Sequence, residues 1–210
     1  SLNRLSTVNY YGAAPSATHS YDGAHRLLST TTSDAARRFT YDSNGNIRTE
    51  ELATADISWS AQYGYNGNDQ LTSIVYPRSG ETVYYGVNNL GQPTSITGYV
   101  TSASYWPSGQ IQRIAYANGT SSEYGQNSRL WPSSFFTSKS GSYYNQSSFG
   151  YDTVGNLTSI SDSTAPIYGR TLGYDEMDRL TNFSTPQGSG RVSYNGTGNI
   201  TDYNAPGLQL

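Results

Sequence analysis

The side chains of this 210-residue chain that could support acid–base catalysis are ten aspartates, five glutamates and two histidines. Paired carboxylates can hydrolyse glycosidic bonds, and a Ser-His-Asp site would need His19 or His25. The glutamates show no pairing pattern, cysteine is absent, and no Gly-x-Ser-x-Gly motif occurs. Six aspartates instead recur at equivalent places in a repeated turn: Asp22, Asp42, Asp69, Asp152, Asp175 and Asp178. The sequence therefore predicts a protein that is not an enzyme, with no catalytic residue and no cofactor.

Metal binding is the second chemistry to consider, because residues 42–46 read Asp-Ser-Asn-Gly-Asn, the spacing that begins a calcium-binding loop. Such a loop needs Gly at its sixth position and Glu at its twelfth. These positions are occupied by Ile47 and Ala53. Asp before Asn-Gly is also typical of a tight turn, in which the Asp side chain bonds the backbone two residues on. We therefore predict a turn and no metal site.

Three tryptophans are candidates for stacking on sugar rings: Trp59, Trp106 and Trp131. The competing interpretation is that these rings form cross-strand pairs that hold a sheet together. With 20 tyrosines in the chain, aromatic partners for such pairs are abundant. Cross-strand packing is the favoured interpretation, and carbohydrate binding is kept as the alternative.

The tyrosines and aspartates belong to an internal repeat, which is the first feature to seek in any sequence. One array of about nine units is predicted to cover residues 1–210, with unit starts near residues 21, 41, 65, 87, 105, 124, 151, 174 and 194. The start residue is Tyr in all but one unit, where it is Val87. Arg4 and Leu5 match the fifth and sixth positions after a start that would precede residue 1, so the array is expected to be part of a longer repeat protein.

Each position of the unit has a physical role. The start Tyr ends one strand, and the following Asp or Asn opens a turn with its side chain. Gly at the fourth position after the start supplies positive φ, and Leu or Ile at the sixth begins the return strand. The residues that carry this motif most clearly are Tyr41, Asp42, Gly45, Tyr151, Asp152, Gly155, Leu157, Tyr174, Asp175 and Leu180.

The predicted fold is all-β, made of repeated antiparallel hairpins in a thin sheet with one wet face. Outer connections are expected at 77–80, 118–120 and 186–188, because each contains Pro or Gly. The longest interval, from Tyr124 to Tyr151, is expected to hold a longer hairpin or an insertion. Helix is expected to be nearly absent: residues 33–38 could form one turn after an N-cap, but such a turn is too short to stand alone.

Composition limits the partners. The net charge is −3 and Arg37–Arg38 is the longest basic run, so nucleic-acid binding is not expected. No run of 18 apolar residues occurs, so membrane insertion by a helix is not expected either. Ser1–Arg4 lacks the features of an export signal. The abundance of Ser, Thr, Asn and Gly is typical of secreted or cell-surface β-proteins, whose export signal would then lie outside these residues.

The unit Tyr-Asp-x-x-Gly-Asn-Leu-Thr at 151–158 resembles the YD repeat of the Rhs family, and 174–181 is a second close match. The resemblance extends over essentially the whole chain. The family includes bacterial Rhs toxins, the C component of insecticidal toxin complexes, and teneurins. The resemblance implies a curved, spiralling sheet that forms a segment of a hollow β-shell, which in the toxins encloses a cytotoxic C-terminal domain. The self-cleaving Asp-Pro-x-Gly motif of those toxins is absent from this sequence.

The resemblance implies a structural role in a secreted or surface-associated bacterial protein, encapsulating or presenting a toxin or effector. Its expected partners are neighbouring repeats or a partner shell chain, and an encapsulated toxin domain. Two alternatives stay open: an adhesion module that binds carbohydrate or a receptor, and a polysaccharide-acting enzyme.

Overall fold

The computed structural model describes residues 4–10, 12 and 16–205; residues 1–3 of the segment considered for an export signal lie outside the described residues. Backbone contacts divide the chain into two compact units, Ser1–Gly98 and Tyr99–Leu210. Within each unit the strands are antiparallel, and each pairs with the next strand along the chain. The predicted all-β fold of repeated antiparallel hairpins is therefore confirmed.

The first unit contains nine of the strands. They are β1 (Thr7–Val8), β2 (Ala17–Tyr21), β3 (Leu27–Thr31), β4 (Ala35–Tyr41), β5 (Ile47–Thr54), β6 (Ser58–Tyr65), β7 (Leu71–Val75), β8 (Thr82–Val87) and β9 (Pro93–Ile96).

The second unit contains the other ten strands and one short 3₁₀ helix, Pro166–Tyr168. The strands are β10 (Val100–Tyr105), β11 (Ile111–Tyr116), β12 (Thr120–Gln126), β13 (Pro132–Lys139), β14 (Ser142–Tyr151), β15 (Leu157–Asp162), β16 (Arg170–Tyr174), β17 (Leu180–Thr185), β18 (Gly188–Tyr194) and β19 (Ile200–Asn204). Within the described part of the chain, no helix has the length and hydrophobicity needed to cross a bilayer.

The repeat positions coincide with the strand ends. Tyr21, Tyr41 and Tyr65 are the last residues of β2, β4 and β6, and the next strands begin six residues later in each case. The register shifts between the start residue and its predecessor, as between Thr40 and Tyr41. This irregularity is a β-bulge, which adds twist at the point where the turn begins.

Side chains alternate between two faces of the sheet, as strand geometry requires. In β6 the side chains of Trp59, Ala61 and Tyr63 are half-buried or buried, whereas those of the intervening Ser60 and Gln62 are exposed. Strand β18 has the same pattern, with Val192 and Tyr194 on the more buried side. We call the side that carries the start tyrosines the ring face and the other the hydroxyl face.

The core of each unit is thin. The buried apolar residues among those described are Ala17, Ala61, Val83 and Val192, and none of the larger side chains is completely buried. This agrees with a sequence whose apolar area is carried by tyrosine, which has an apolar ring and a polar tip.

The single helical turn considered for residues 33–38 does not form. Residues Ala35–Tyr41 form strand β4, in which Arg37 pairs with Leu52 of β5 and forms an ion pair with Glu50. A single helical turn forms too few hydrogen bonds to offset the free energy cost of helix nucleation, so these residues pair along the full strand instead.

The predicted connections agree with the structure. Residues 77–80 and 118–119 lie between strands, and 186–187 join β17 to β18. The long interval is a longer hairpin, β13 with β14, closed by Ser140 and Gly141. Their φ values of 49° and 81° are those of a two-residue turn with positive φ at both positions, the kind that matches strand twist.

Candidate functional site

The repeated turn is the most regular arrangement of polar groups in the molecule, and the turn at Asp152 shows its geometry. One carboxylate oxygen, Oδ1, accepts hydrogen bonds from the backbone N–H groups of Val154, Gly155 and Asn156 at 3.0, 2.8 and 2.9 Å. The N–H of Asp152 donates to the carbonyl oxygen of Asn156 at 3.0 Å. Gly155 has a φ of 111°, in a region that glycine reaches without steric cost. The sequence predicted this turn and the role of its Asp and Gly.

The same arrangement recurs along the chain. In eight turns of the described chain, the side-chain oxygen of an Asp or Asn accepts hydrogen bonds from the backbone N–H groups two and four residues later. The accepting residues are Asp22, Asp42, Asn66, Asn88, Asn127, Asp152, Asp175 and Asn195. At residues 42–46 Oδ1 of Asp42 accepts the backbone N–H groups of Asn44 and Asn46, which is the predicted turn.

Hydrogen bonds lower the pKa of two turn aspartates, Asp152 and Asp175. Side-chain and backbone hydrogen bonds from Arg179 lower the pKa of Asp175 below its usual value. Burial raises the pKa of Asp152, but hydrogen bonds from Asn156, Gly155 and Val154 outweigh this effect and the pKa is lowered. Donors that favour the carboxylate thus dominate in both turns.

Consecutive units are joined by their tyrosines. Five start tyrosines donate their hydroxyl groups, at 2.7–3.0 Å, to the carbonyl oxygen at the sixth position of the preceding unit: Tyr21 to Leu5, Tyr41 to Leu27, Tyr65 to Ile47, Tyr174 to Leu157 and Tyr194 to Leu180. Arginine at the fifth position of the preceding unit lies over three of these rings, with Arg4, Arg26 and Arg179 at 5.2, 4.5 and 4.6 Å from the ring centres. The sequence predicted ring packing but not the hydroxyl bonds.

The three tryptophans each pack against different neighbours. Trp59 pairs across strands with Leu52. Trp106 takes the place of Asp in the fifth turn, and its Nε1–H donates to the carbonyl oxygen of Tyr124 at 2.9 Å. Trp131 lies 5.2 Å from the ring of Tyr151, with the guanidinium of Arg129 at 5.1 Å from its own ring centre. These contacts favour the packing interpretation, and sugar stacking stays a prediction.

The sixth turn begins two residues later than the alignment on Tyr124 predicts. Strand β12 ends at Gln126, and Oδ1 of Asn127 accepts the N–H groups of Arg129 and Trp131. Leu130, with a φ of 65°, occupies the position that Gly fills in other turns. Gly125-Gln126-Asn127 is the signal that identifies this start, because it matches Gly150-Tyr151-Asp152 and Gly173-Tyr174-Asp175.

A buried polar cluster around Asp162 was not predicted. Asp162 is 6% exposed and accepts from the hydroxyl of Thr164 at 2.6 Å, from Nδ2 of Asn145 at 2.9 Å and from the hydroxyl of Ser147 at 3.3 Å. The Thr164 hydroxyl, against the opposing effect of burial, lowers the pKa of Asp162, as do the N–H groups of Thr164 and Ala165. Its role is to hold the loop before the 3₁₀ helix, a use that Asp-Ser-Thr before Ala-Pro could have indicated.

The residues considered for catalysis are dispersed. Nδ1 of His19 lies 3.0 Å from the hydroxyl of Thr30, and His25 occupies the fourth position of its turn with a φ of 69°. Among the described residues, no group of three or more His, Cys, Asp or Glu side chains is arranged to hold a metal ion.

Comparison with known proteins places the fold. No family model matches the chain, and no curated protein matches its sequence significantly. Among solved structures, the crystal structure of TcdB2-TccC3-Cdc42 matches 99% of this chain with a TM-score of 0.76 and 14% identity. The pore of the Photorhabdus luminescens Tc holotoxin matches 97% of the chain, with a TM-score of 0.74 and 13% identity. These likenesses show that the chain shares its all-β fold with segments of those proteins.

The chain spans only a small part of those proteins. It covers 14% of the matched chain of TcdB2-TccC3-Cdc42 and 13% of that in the holotoxin pore. At this level of identity the likeness shows a shared fold.

Proposed function

We propose that this chain is a segment of one YD-repeat array in a longer Rhs-type protein, secreted by or displayed on bacteria. Its hairpins form part of a wall that encloses or presents a C-terminal toxin or effector domain. Neighbouring repeats or a partner shell chain complete the wall, because an open sheet edge would otherwise pair with other chains.

The observation that carries the proposal is the way the motif residues are used. Five start tyrosines, Tyr174 and Tyr194 among them, donate to the backbone of the preceding unit, and the Asp or Asn after the start residue accepts from the backbone of its own turn. In Asp152, for example, one carboxylate oxygen accepts three N–H groups of its own turn. The repeated side chains therefore build and extend the sheet, which is the role required of a wall.

The fold likeness gives independent support. The matched structures are assemblies named for TcdB2, TccC3 and a Tc holotoxin pore, and this chain shares the fold of a segment of them over nearly its full length. Enclosure, the nature of the cargo and secretion are inferred for this chain from that likeness and from the Tyr-Asp motif.

Two neighbouring residues provide a test of enclosure. Asp202 and Tyr203 lie side by side in β19, both are exposed, and they pair with Ser193 on the hydroxyl face and Val192 on the ring face. The chain contains no cysteine, so Asp202→Cys and Tyr203→Cys each introduce a single label site within it. Each variant is made in the full natural polypeptide and in the isolated chain, and treated with a small maleimide and a bulky PEG-maleimide.

If the sheet is a wall around a cavity, the bulky reagent should label positions 202 and 203 unequally in the full polypeptide. The isolated chain should react at both positions with both reagents, because both side chains are exposed. In the full polypeptide, the small reagent should reach both positions, whereas the bulky reagent should reach only the face outside the shell. Equal labelling of both positions by the bulky reagent in the full polypeptide would contradict enclosure and favour an open adhesion surface.

Carbohydrate binding is the second candidate function, and one pocket favours it. Trp131, Tyr151 and Phe149 line an open pocket of about 370 Å³ together with Asn127 and Arg129, a combination of rings and polar groups suited to a sugar. A glycan array probed with the chain tests this. Binding that is lost with Trp131→Ala and retained with Trp59→Ala would support it, and an array without binding would count against it.

A further inference from the structure

The turns of consecutive units touch through two positions of the repeat. Nδ2 of Asn46, at the fifth position of its unit, donates to Oδ1 of Asp69, at the fourth position of the next unit, at 2.7 Å. Asn156 and Asp178 repeat this bond at the same two positions and the same distance of 2.7 Å. Both aspartates have positive φ, of 60° and 59°, where other units have Gly. The two pairs lie in different compact units, so the arrangement arises twice independently.

Longer side chains at the fifth position face glycine instead. A Cβ atom added to Gly91 would lie 3.0 Å from Gln70, and one added to Gly155 would lie 3.0 Å from Trp131, both tighter than an ordinary contact. At Gly45 and Gly198 the corresponding distances, to Arg26 and Arg179, are 3.6 and 4.0 Å, which are ordinary contacts. In the Gln70 and Trp131 pairs the long side chain therefore occupies the space that a fourth-position side chain would need. Asn is too short to fill it, and the Asp carboxylate extends to meet the Asn amide.

The two combinations are complementary in size and in hydrogen bonding. Short Asn pairs with Asp, and long Arg, Gln or Trp pairs with Gly. Two other pairs use neither combination: Leu130 follows Gln110 but is 53% exposed, and His25, also exposed, follows Arg4, which lies over the ring of Tyr21. These two pairs are exceptions to the combinations, which rest on the pairs at Asp69, Asp178, Gly91 and Gly155.

We propose that these two positions form a pairing code that determines which hairpin can pack after which. Applied to β19, the code specifies the occupant of that edge: a further hairpin that begins with Tyr and carries Asp four residues later. The turn before β19 has Asn199 at its fifth position, as Asn46 and Asn156 do before β5 and β15.

The edge strand itself is suited to this occupant. All five residues of β19 are exposed, including Ile200 at 62% and Tyr203 at 50%. Ile200 holds the position at which Ile47 and Leu157 accept a tyrosine hydroxyl from the next unit. The proposed contact therefore has the same form as the contacts that consecutive repeats already make at Ile47 and Leu157. It does not depend on whether the assembled protein encloses a cargo.

The code is tested first inside the chain, at Asn46 and Asp69. Asp69→Gly removes the acceptor of both the Asn46 and the Asn44 amides, and we expect backbone amides around the turn at 65–71 to exchange hydrogen about tenfold faster. In the background of Asn46→Gln, which imitates the Gln70–Gly91 pair, Asp69→Gly should accelerate exchange much less, because only the bond from Asn44 is then lost. Asp69→Asn keeps a side-chain oxygen and tolerates positive φ, so this matched control should resemble the parent. An identical effect of Asp69→Gly in both backgrounds would overturn the code.

The occupant of β19 is tested by extending the chain. Residues 200–210 are replaced by a copy of residues 157–185, which brings a Tyr start and the Asp of position 178 behind Asn199. With Asn199, the copy that keeps Asp should have a higher Tm, and more protected amides in its first strand, than the copy with Gly at that place. With Asn199→Gln the order should reverse. The same order for both residues at 199 would show that this edge does not discriminate between hairpins, and would refute the assignment.

Discussion

The hydroxyl group of Tyr174 donates a 2.9 Å hydrogen bond to the carbonyl oxygen of Leu157, a residue of the preceding hairpin. The bond explains why the start position is tyrosine and not phenylalanine. A phenylalanine ring could pack in the same place, but it would leave the Leu157 carbonyl without this donor. The hydroxyl also fixes the spacing between hairpins, because it reaches a backbone atom whose position does not depend on a rotamer.

Replacing Tyr174 with Phe should therefore weaken the junction between two hairpins without disturbing the packing of the ring. We expect Tyr174→Phe to cost about 1 kcal/mol, the usual net contribution of one hydrogen bond. Hydrogen exchange of the amides in β15 and β16 is the appropriate measurement, because repeat arrays need not unfold in one step. Tyr144, which is 65% exposed, is the matched control, and Tyr144→Phe should leave exchange unchanged. Equal effects of the two changes would contradict a joining role for the Tyr174 hydroxyl.

The sequence predicts most strand ends next to the repeated turns, but not that of β12. Tyr151, Asp152 and Leu157 mark the end of one strand, the turn and the start of the next, because strand ends are set by local turn chemistry. Strand β12 ends at Gln126 and not at Tyr124, because the Gly and Asn that flank Gln126 form the turn there. The start residue matters less to the turn than the Asx oxygen, so a glutamine is tolerated there.

The contacts between units could not be predicted from any single unit. The partner of Asn46 is Asp69, and the distance along the chain between such residues varies with the outer loops. The burial of Asp162 depends on Asn145 and Ser147 from a neighbouring strand, and no pattern in the sequence around Asp162 specifies that pairing. Side-chain contacts across strands are set by register, which the outer loops determine.

The Asp152 turn should be sensitive to loss of its acceptor oxygen. Asp152→Ala removes the group that binds three backbone N–H groups, and we expect Tm to fall by a few degrees. Asp152→Asn keeps an oxygen that can accept from the same groups, as Asn127 and Asn195 do in their own turns. The Tm of this variant should therefore fall much less. Thermal unfolding followed by far-ultraviolet circular dichroism distinguishes the two. If Asp152→Asn were as damaging as Asp152→Ala, the negative charge and not the turn geometry would be what the position requires.

Stability should depend on pH in a direction set by the turn aspartates. The pKa values of Asp22, Asp42, Asp152, Asp162 and Asp175 are all lowered below the ordinary value of 3.8. A group whose pKa is lower in the folded state stabilises the fold above its unfolded pKa, and this contribution is lost as the pH falls through the folded pKa. We therefore expect Tm to be nearly constant above about pH 5 and to fall progressively below about pH 4.

Neutral replacements provide the control for this pH dependence. Asp152→Asn combined with Asp42→Asn removes two of the groups responsible, so the fall in Tm between about pH 4 and about pH 2 should become shallower. Asp56→Asn, in an exposed loop between β5 and β6, is the matched change of charge and should leave the slope unaltered. A Tm that rises on acidification, or a slope that is the same in all three proteins, would contradict this account.

Gly155 combines positive φ with the close approach of an aromatic ring, so three substitutions of glycine by alanine should form an ordered series. Gly67 has open space around it and no positive φ, and Gly67→Ala should change stability by less than about 1 kcal/mol. Gly45 has a φ of 98° with its nearest neighbour at 3.6 Å, so Gly45→Ala should cost about 1–2 kcal/mol in backbone strain. Gly155 has a φ of 111° and the Trp131 ring at 3.0 Å, so Gly155→Ala should cost about 2–4 kcal/mol. Hydrogen exchange of the backbone amides at each turn measures the loss of local stability in each of the three variants separately. The excess at Gly155 should disappear in the background of Trp131→Ala, and an excess that persists there would assign the whole effect to the backbone and remove the tryptophan from the junction.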